Sequence, residues 1–366
     1  MSRSEHAAPL FAPVDIGGLT VPNRVVMAPM TRASSPGGVP GPDVAEYYAR
    51  RAAGGTGLIV TEGVVVDHAP NIVPDGIPRF HGEDALAGWR RVAEAVHRVG
   101  GLIFPQLWHL GAYDGPDAAP RGDVPAVGPS GLGVSGERVG EPMTEAEIAA
   151  AIGSFGRAAS DARRIGFDGV ELHGAHGFLI DQFLWDFTNR RTDAYGTRSR
   201  FAAEVVAEVR RVTAPDFPIS LRLSQWKMGD YAARIAGTPE ELADLLLPLV
   251  EAGVDVFHLS TRRFWLPEFA GSDLTLAGWT RKITGKPVVA VGSAGLAASD
   301  FESAFAGEGA APEGVETIVA ALERGDFDLI ALGRALVSEP DWAAKVRTGR
   351  TAELKPFSPA DLAALK

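Results

Sequence analysis

The sequence predicts a single α/β domain folded as a (β/α)8 barrel. Three observations predict it: eight strand-like runs separated by helical patterns, helix-start signals between those runs, and polar residues gathered just after them. The runs are Arg24–Ala28, Gly57–Thr61, Leu102–Leu107, Gly169–His173, Ile219–Leu223, Val254–Leu259, Val288–Gly292 and Leu329–Gly333. Each is short and apolar, as strands buried on both faces of a parallel sheet must be. Thr144-Glu-Ala-Glu147 is a capping box before an apolar-periodic run, and Thr238-Pro-Glu-Glu241 adds a proline at the first helical position, with Gly253 closing that helix. A doubly wound sheet also alternates strands with helices, but it has no reason to repeat the unit eight times with polar residues at so many strand C-termini.

With 366 residues, 46% of them apolar, the chain can bury a large core, and barrels of this length form one domain. Residues 1–366 are therefore read as one unit, with 1–10 a flexible arm and 357–366 a C-terminal tail. No apolar run reaches membrane-spanning length, and the opening MSRSEHAAPL lacks the apolar centre of a secretory signal, so the expectation is a cytoplasmic protein with no membrane partner. A net charge of −11 argues against nucleic-acid binding, which concentrates Lys and Arg against phosphates. The absence of cysteine excludes disulfides, thiolate metal sites and thiol nucleophiles. Oligomeric state stays open, a homo-oligomer included.

Two loops break the pattern. Gly111–Pro142, rich in Gly and Pro, is too long for an ordinary connection after the third strand and reads as a lid or hairpin over the barrel mouth. Its Gly131-Leu-Gly-Val-Ser-Gly136 spells G-x-G-x-x-G, but no strand precedes it and no helix opens on it, so its glycines are assigned to turns. Gly292–Gly314 follows the seventh strand, where barrels often bind phosphate. An extended loop, Thr261-Arg-Arg-Phe-Trp-Leu-Pro267, follows the sixth.

The stretch from Glu171 to Tyr195 carries the strongest chemical signal. His173 ends the fourth strand and His176 follows one turn of loop later, where side chains point into a barrel's mouth. H-x-x-H at that place fits two imidazole donors converging on one oxygen. A metal pair completed by Glu171 or Asp181, and purely structural imidazoles, are the alternatives.

Together with Met27-Ala-Pro-Met-Thr-Arg32, Gln106-Leu-Trp-His109 and Asn189-Arg-Arg-Thr-Asp193, this segment resembles the Old Yellow Enzyme family of FMN-dependent ene reductases, from about Leu10 to Pro356. The resemblance implies non-covalent FMN at the mouth, NAD(P)H as reductant and a small-molecule electron acceptor taking turns on one flavin face. It implies that His173 and His176 hold the acceptor's oxygen. The family's usual tyrosine proton donor, two residues after the second histidine, is here Phe178. Without cysteine, the branches that carry an iron–sulfur cluster, a cysteinyl flavin link or a cysteine in place of Thr31 are excluded.

The other strand ends bear both a local and a family reading. After the first strand come Pro29, Met30 and Thr31; a threonine hydroxyl there can cap a helix or donate to a ring, and the resemblance places it near flavin O4 and N5. Gly63 offers either a turn or a bare backbone for a flat ring. The amide of Gln106 suits the pyrimidine edge of the flavin, while Trp108 is either core or pocket wall. Arg222, a cation inside an apolar strand, must meet an anion; it pairs with Glu171 or, as the resemblance implies, stabilises charge at flavin N1 and O2. Gly292-Ser293 and Gly333-Arg334 supply backbone N–H groups and a guanidinium for the phosphate. Trp265, with Trp226 and Lys227, is expected to build the acceptor pocket.

The function so predicted is hydride transfer from NAD(P)H through flavin to an activated alkene. Quinone or nitro reduction on the same site is the alternative, since those acceptors do not require the missing tyrosine's proton. Tyr113 and Tyr231 lie on mouth-side loops and are candidates to supply it. A metal- or imine-dependent lyase is the competing class. It would need a metal cage or a buried lysine, and Lys227, the clearest lysine, is expected beyond its strand.

Overall fold

Eight parallel strands close on themselves in the computed structural model, which describes residues 3–69, 71–115, 118, 124–297 and 307–366. In chain order they are β1 Val25–Met27, β2 Leu58–Val65, β3 Leu102–Trp108, β4 Val170–His176, β5 Ile219–Lys227, β6 Val256–Ser260, β7 Val288–Val291 and β8 Leu329–Leu332. β8 pairs with β1 and closes the (β/α)8, or TIM, barrel. All eight expected runs are strands. β2, β4 and β5 run past their expected ends, so His176 lies in β4 and not in a loop beyond His173; register breaks fall at Val60 to Gly63 between β2 and β3 and at Gly174 to His176 between β4 and β5.

Alternation along each strand sorts the side chains. Outward-facing Ile103, Val170, Leu172 and Leu221 join the apolar faces of Glu83–Arg98, Glu145–Ile165 and Arg200–Val212 in one large core, with Trp89, Phe155 and Phe201 fully buried. Each such ring removed from water stabilises the fold by roughly 1.5–3 kcal/mol. The capping box at Thr144 is complete: its hydroxyl accepts from Glu147 N–H and the Glu147 carboxylate accepts from Thr144 N–H. At Thr238 only half of it forms, because the Glu241 carboxylate turns to the N–H of Gly237. Gly253 closes that helix in the left-handed conformation.

The barrel's N-terminal end is stoppered. Val14–Ile16 and Leu19–Val21 form an antiparallel hairpin whose turn, Gly17 and Gly18, needs positive φ at both positions. Ile16 and Val21 pack on the inward-facing Val26, Leu58, Val60, Phe104, Val256, Val289 and Leu329 as one apolar cluster.

Three expectations change. The N-terminal arm is not loose from Ala7 onward: Ala7 and Leu10 are buried and Leu10 carbonyl accepts from Arg24 N–H. The tail is docked because two buried arginines need acceptors; Arg32 donates to the carbonyls of Asp361, Leu362 and Ala364, and Arg51 to that of Lys366. The loop after β3 is no simple hairpin, since Ala126–Gly128 pairs in parallel with Gly140–Pro142 after the chain turns through Gly131 and Gly136 at positive φ. Residues 116–117 and 119–123 of that loop, and 298–306 of the one after β7, lie outside the described residues.

Candidate active site

Above the stopper, inward positions change from apolar to polar. Glu171 on β4 is the hub: its carboxylate accepts from Gln106 Nε2 (2.9 Å), Ser220 Oγ (2.9 Å) and His258 Nδ1 (2.8 Å), so one side chain ties together β3, β4, β5 and β6. Burial pushes its pKa up, but the His258 ring, then Arg222 and Ser220, win and hold it at about 2. Burial lowers the pKa of His258 more than the Glu171 carboxylate raises it, and its Nδ1 faces that carboxylate as the donor. Because a carboxylate only accepts, Gln106 must present its NH2 to Glu171 and keeps its carbonyl oxygen for the mouth.

Arg222 points up from β5. It makes one hydrogen bond, Nη2 to Ser260 Oγ at 3.3 Å, and forms no direct ion pair with Glu171; its Nε is buried without a partner. Burial lowers its pKa to about 10, so it stays charged at neutral pH. That charge matters to the two histidines. Burial first, and Arg222 second, put both His173 and His176 well below the usual histidine range, so both are neutral imidazoles with one N–H each.

The two rings lie edge to face, centroids 5.2 Å apart, at the end of β4. Register brings His173 beside Arg222 on β5, and the chain then turns at His176, a non-glycine residue with φ 66°. Several bonds hold that turn: His176 N–H to Ser224 Oγ, Gly177 N–H to the Asp181 carboxylate, and His176 Nε2 to Ser260 Oγ at 2.8 Å. Trp226 stacks on His176 at 4.4 Å.

An apolar wall stands opposite, built from Val65, Ile77, Trp108, Leu110, Tyr113 and Phe178, with Val134 of the lid packed on it. Phe178 touches Trp108 and His173 at 4.9 Å each and Tyr113 at 5.0 Å. Tyr231, the other tyrosine considered from sequence, instead lies under the guanidinium of Arg262 and beside Trp226. Trp265 does not join this wall. Its loop carries it onto Phe264 and the outer core; the tryptophans beside the histidines are Trp108, stacked on His173, and Trp226, stacked on His176.

At the end of β1, Pro29 and Met30 are half-buried and Thr31 is exposed. Glu62 on β2 accepts the N–H groups of Arg32 and Ala33 through one carboxylate oxygen and so shapes the chain just after Thr31. Gly63 cannot carry a side chain as the site stands: a Cβ there would sit 2.8 Å from the Trp108 ring. Gly292 has φ 154° and a Cβ there would meet the Thr261 carbonyl; Ser293 follows at φ 53°. Gly333 passes close to Met30 Sδ, and Arg334, mostly buried, lies 5.6 Å from the Phe357 ring of the tail.

Sequence reasoning missed the polar interior of His258, Ser220, Ser224 and Ser260, and the pair formed by Asp181 and Lys227. The available signal was inward parity along β5 and β6. Lys227 ends β5 rather than lying beyond it, and its Nζ is bonded to Asp181 and to the carbonyls of Ser224 and Gln225. Among the described residues no three His, Asp or Glu side chains are grouped to hold a metal.

The mouth fits a flat ring with polar edges. Three buried polar atoms of residues around it, Arg222 Nε, His173 Nδ1 and Trp108 Nε1, have no hydrogen-bond partner among the described residues, and Gly63 leaves bare backbone beside the ring of Trp108. Fold and donor set together define a (β/α)8 barrel with a mouth that can seat such a ring. Comparison with known proteins then gives the family: residues 9–353 match the NADH:flavin oxidoreductase / NADH oxidase family, and the chain belongs to it.

The chain is 34% identical over 363 residues to an NADH oxidase of Thermoanaerobacter brockii, covering 96% of this chain and 52% of that protein. It is 32% identical to 12-oxophytodienoate reductase 7 of Oryza sativa subsp. japonica, covering 94% and 89%. Among solved structures, morphinone reductase in complex with tetrahydroNAD superposes with a TM-score of 0.78 at 29% identity, over 96% of this chain and 93% of that one. An Old Yellow Enzyme homologue from Zymomonas mobilis does so at 0.75 and 27%, over 96% of each chain. This is the Old Yellow Enzyme family whose motifs the sequence carries; its cofactor is FMN and its reductant NAD(P)H. No helix among the described residues is long and apolar enough to cross a membrane.

Proposed function

We propose that the chain reduces activated alkenes, such as α,β-unsaturated carbonyl compounds, at the expense of NAD(P)H, the two substrates using one face of FMN in turn. The observation that carries this reading is the pair of neutral, buried imidazoles set edge to face at the end of β4, beside a buried guanidinium. The chemistry supplied by bound FMN is hydride transfer, from NAD(P)H to the ring and from the ring to the acceptor's β-carbon.

The chain's own residues do the rest. Arg222 on β5 and Gln106 on β3 would hold the ring's polar edge, the guanidinium supplying positive charge and the amide its free carbonyl. Thr31 at the end of β1 would donate to the ring, and Gly292, Ser293, Gly333 and Arg334 would hold the phosphate. His173 and His176 each donate one N–H to the acceptor's oxygen and stabilise the enolate; a preorganised donor of this kind is worth ~2.7–4 kcal/mol at the transition state. Trp108 forms the pocket wall.

Phe178 supports a second reading. It occupies the family's acid position against Trp108, His173 and Tyr113 and has no proton to give, which suits quinone or nitro acceptors.

Anaerobic titration of the purified protein tests the proposal. Absorption near ~370 and ~450 nm should show bound flavin, bleached by NADH or NADPH and restored by cyclohexenone. Ionisable phenols should give a long-wavelength charge-transfer band that weakens in His173→Ala and His176→Ala. A colourless protein that takes up no added FMN would remove the reading, and phenol titrations unaltered in both variants would remove the oxygen-binding role.

A further inference from the structure

His176 has two ring nitrogens and, being neutral, one hydrogen to place between them. Which nitrogen carries it decides what the ring can offer the acceptor. Nε2 is 2.8 Å from Ser260 Oγ, and Nδ1 makes no hydrogen bond to the described residues.

Ser260 settles the matter through its other partner. Its hydroxyl is buried at the end of β6 and has two neighbours, His176 Nε2 at 2.8 Å and Arg222 Nη2 at 3.3 Å. A guanidinium has donors only, so the oxygen accepts from Arg222. The hydroxyl's single hydrogen then has one acceptor within reach, His176 Nε2. Were Nε2 protonated, that buried O–H would be stranded, at a cost of about 1–3 kcal/mol. Ser260 is itself fixed: Trp226 Nε1 donates to its carbonyl at 3.1 Å, and the same indole stacks on His176.

We infer that Ser260 is a positioning residue that fixes His176 as the Nδ1–H tautomer, through the relay Arg222 to Ser260 to His176, so that the imidazole presents a donor to the acceptor's oxygen. This rests on the reading that His176 binds that oxygen. The relay also joins the guanidinium at the cofactor's edge to the group that holds the acceptor, through one hydroxyl.

The tautomer can be read directly. In holoenzyme labelled with 15N-histidine, imidazole NMR distinguishes protonated from unprotonated nitrogens, and His176→Gln identifies the resonances by their loss. The expected wild-type pattern is a protonated Nδ1 and an accepting Nε2. Ser260→Ala, with FMN retained, should shift that pattern toward a mixture and weaken phenol binding about tenfold, the scale of one lost hydrogen bond. Ser260→Thr keeps the hydroxyl and should restore both. A wild-type ring protonated at Nε2, or a pattern unmoved in Ser260→Ala, overturns the inference. Phenol binding that survives His176→Ala would overturn the oxygen-binding role instead, and the NMR result keeps the two failures apart.

Discussion

Lys227 Nζ lies 2.9 Å from both carboxylate oxygens of Asp181, and neither side chain is exposed at all. The same carboxylate accepts Gly177 N–H, directly after the strained His176, so the pair anchors the turn that aims the second imidazole. Removing one partner strands a buried charge. Lys227→Met should cost about 3–5 kcal/mol in urea denaturation. Lys227→Met combined with Asp181→Leu should recover part of that loss in stability while phenol binding stays weak. Equal stability of the single variant and the wild type would show that the pair anchors nothing.

Gly63→Ala tests the cradle. A methyl group 2.8 Å from the Trp108 ring must displace the indole, so the apoprotein should lose roughly 1–3 kcal/mol of stability and its affinity for FMN should fall at least tenfold. Fluorescence titration of apoprotein with FMN measures it. Unchanged affinity would place the cofactor away from β2.

Phe178→Tyr separates hydride delivery from protonation. A general acid contributes roughly 10²–10⁴-fold, so flavin reoxidation by cyclohexenone-type acceptors should accelerate while reduction by NAD(P)H stays nearly constant. Quinones and nitro compounds should gain little. Stopped-flow traces of the two half-reactions are the check. If the wild type already matches the variant on enones, another group delivers the proton, and Tyr113, 5.0 Å from the Phe178 ring, is the first to mutate.

Glu62 makes a pH prediction. Burial foremost, offset by the N–H groups of Ala33 and Arg32 and by the Arg32 charge, pushes its pKa up from 4.5 to about 7. The folded state therefore binds a proton more tightly than the unfolded chain. The resulting stability is complete below the unfolded pKa and is lost as pH rises through the folded one, about 3 kcal/mol in all. Glu62→Gln keeps an acceptor for both N–H groups and removes the titration. Stability measured at several pH values between 4.5 and 7 should fall less steeply in the variant; identical slopes would falsify the assignment.

Fold and mouth were legible because each strand end advertises itself locally: an apolar run stops and a polar residue follows. Thr31, His173 and Arg334 stand out in this way as candidates, while Arg222 stands out as a lone cation inside an apolar run. His258 could not, because one histidine inside Val254–Leu259 resembles a core residue until the inward alternation of Val256, His258 and Ser260 is followed. The register breaks that lengthen β2 and β5 arise between strands far apart in sequence and leave no local trace. The parallel ladder in the lid is equally non-local. Trp265 and Trp226 are alike in sequence; packing alone separates them, one against Phe264 and the other on His176.

The hairpin that stoppers the barrel has a consequence for proton traffic. Among the described residues, Ile16 and Val21 cap an apolar layer below Glu171 and His258, so proton exchange with those groups is expected through the mouth. A ring seated in the mouth would stand in that path, so proton exchange at Glu171 and His258 should slow when it binds.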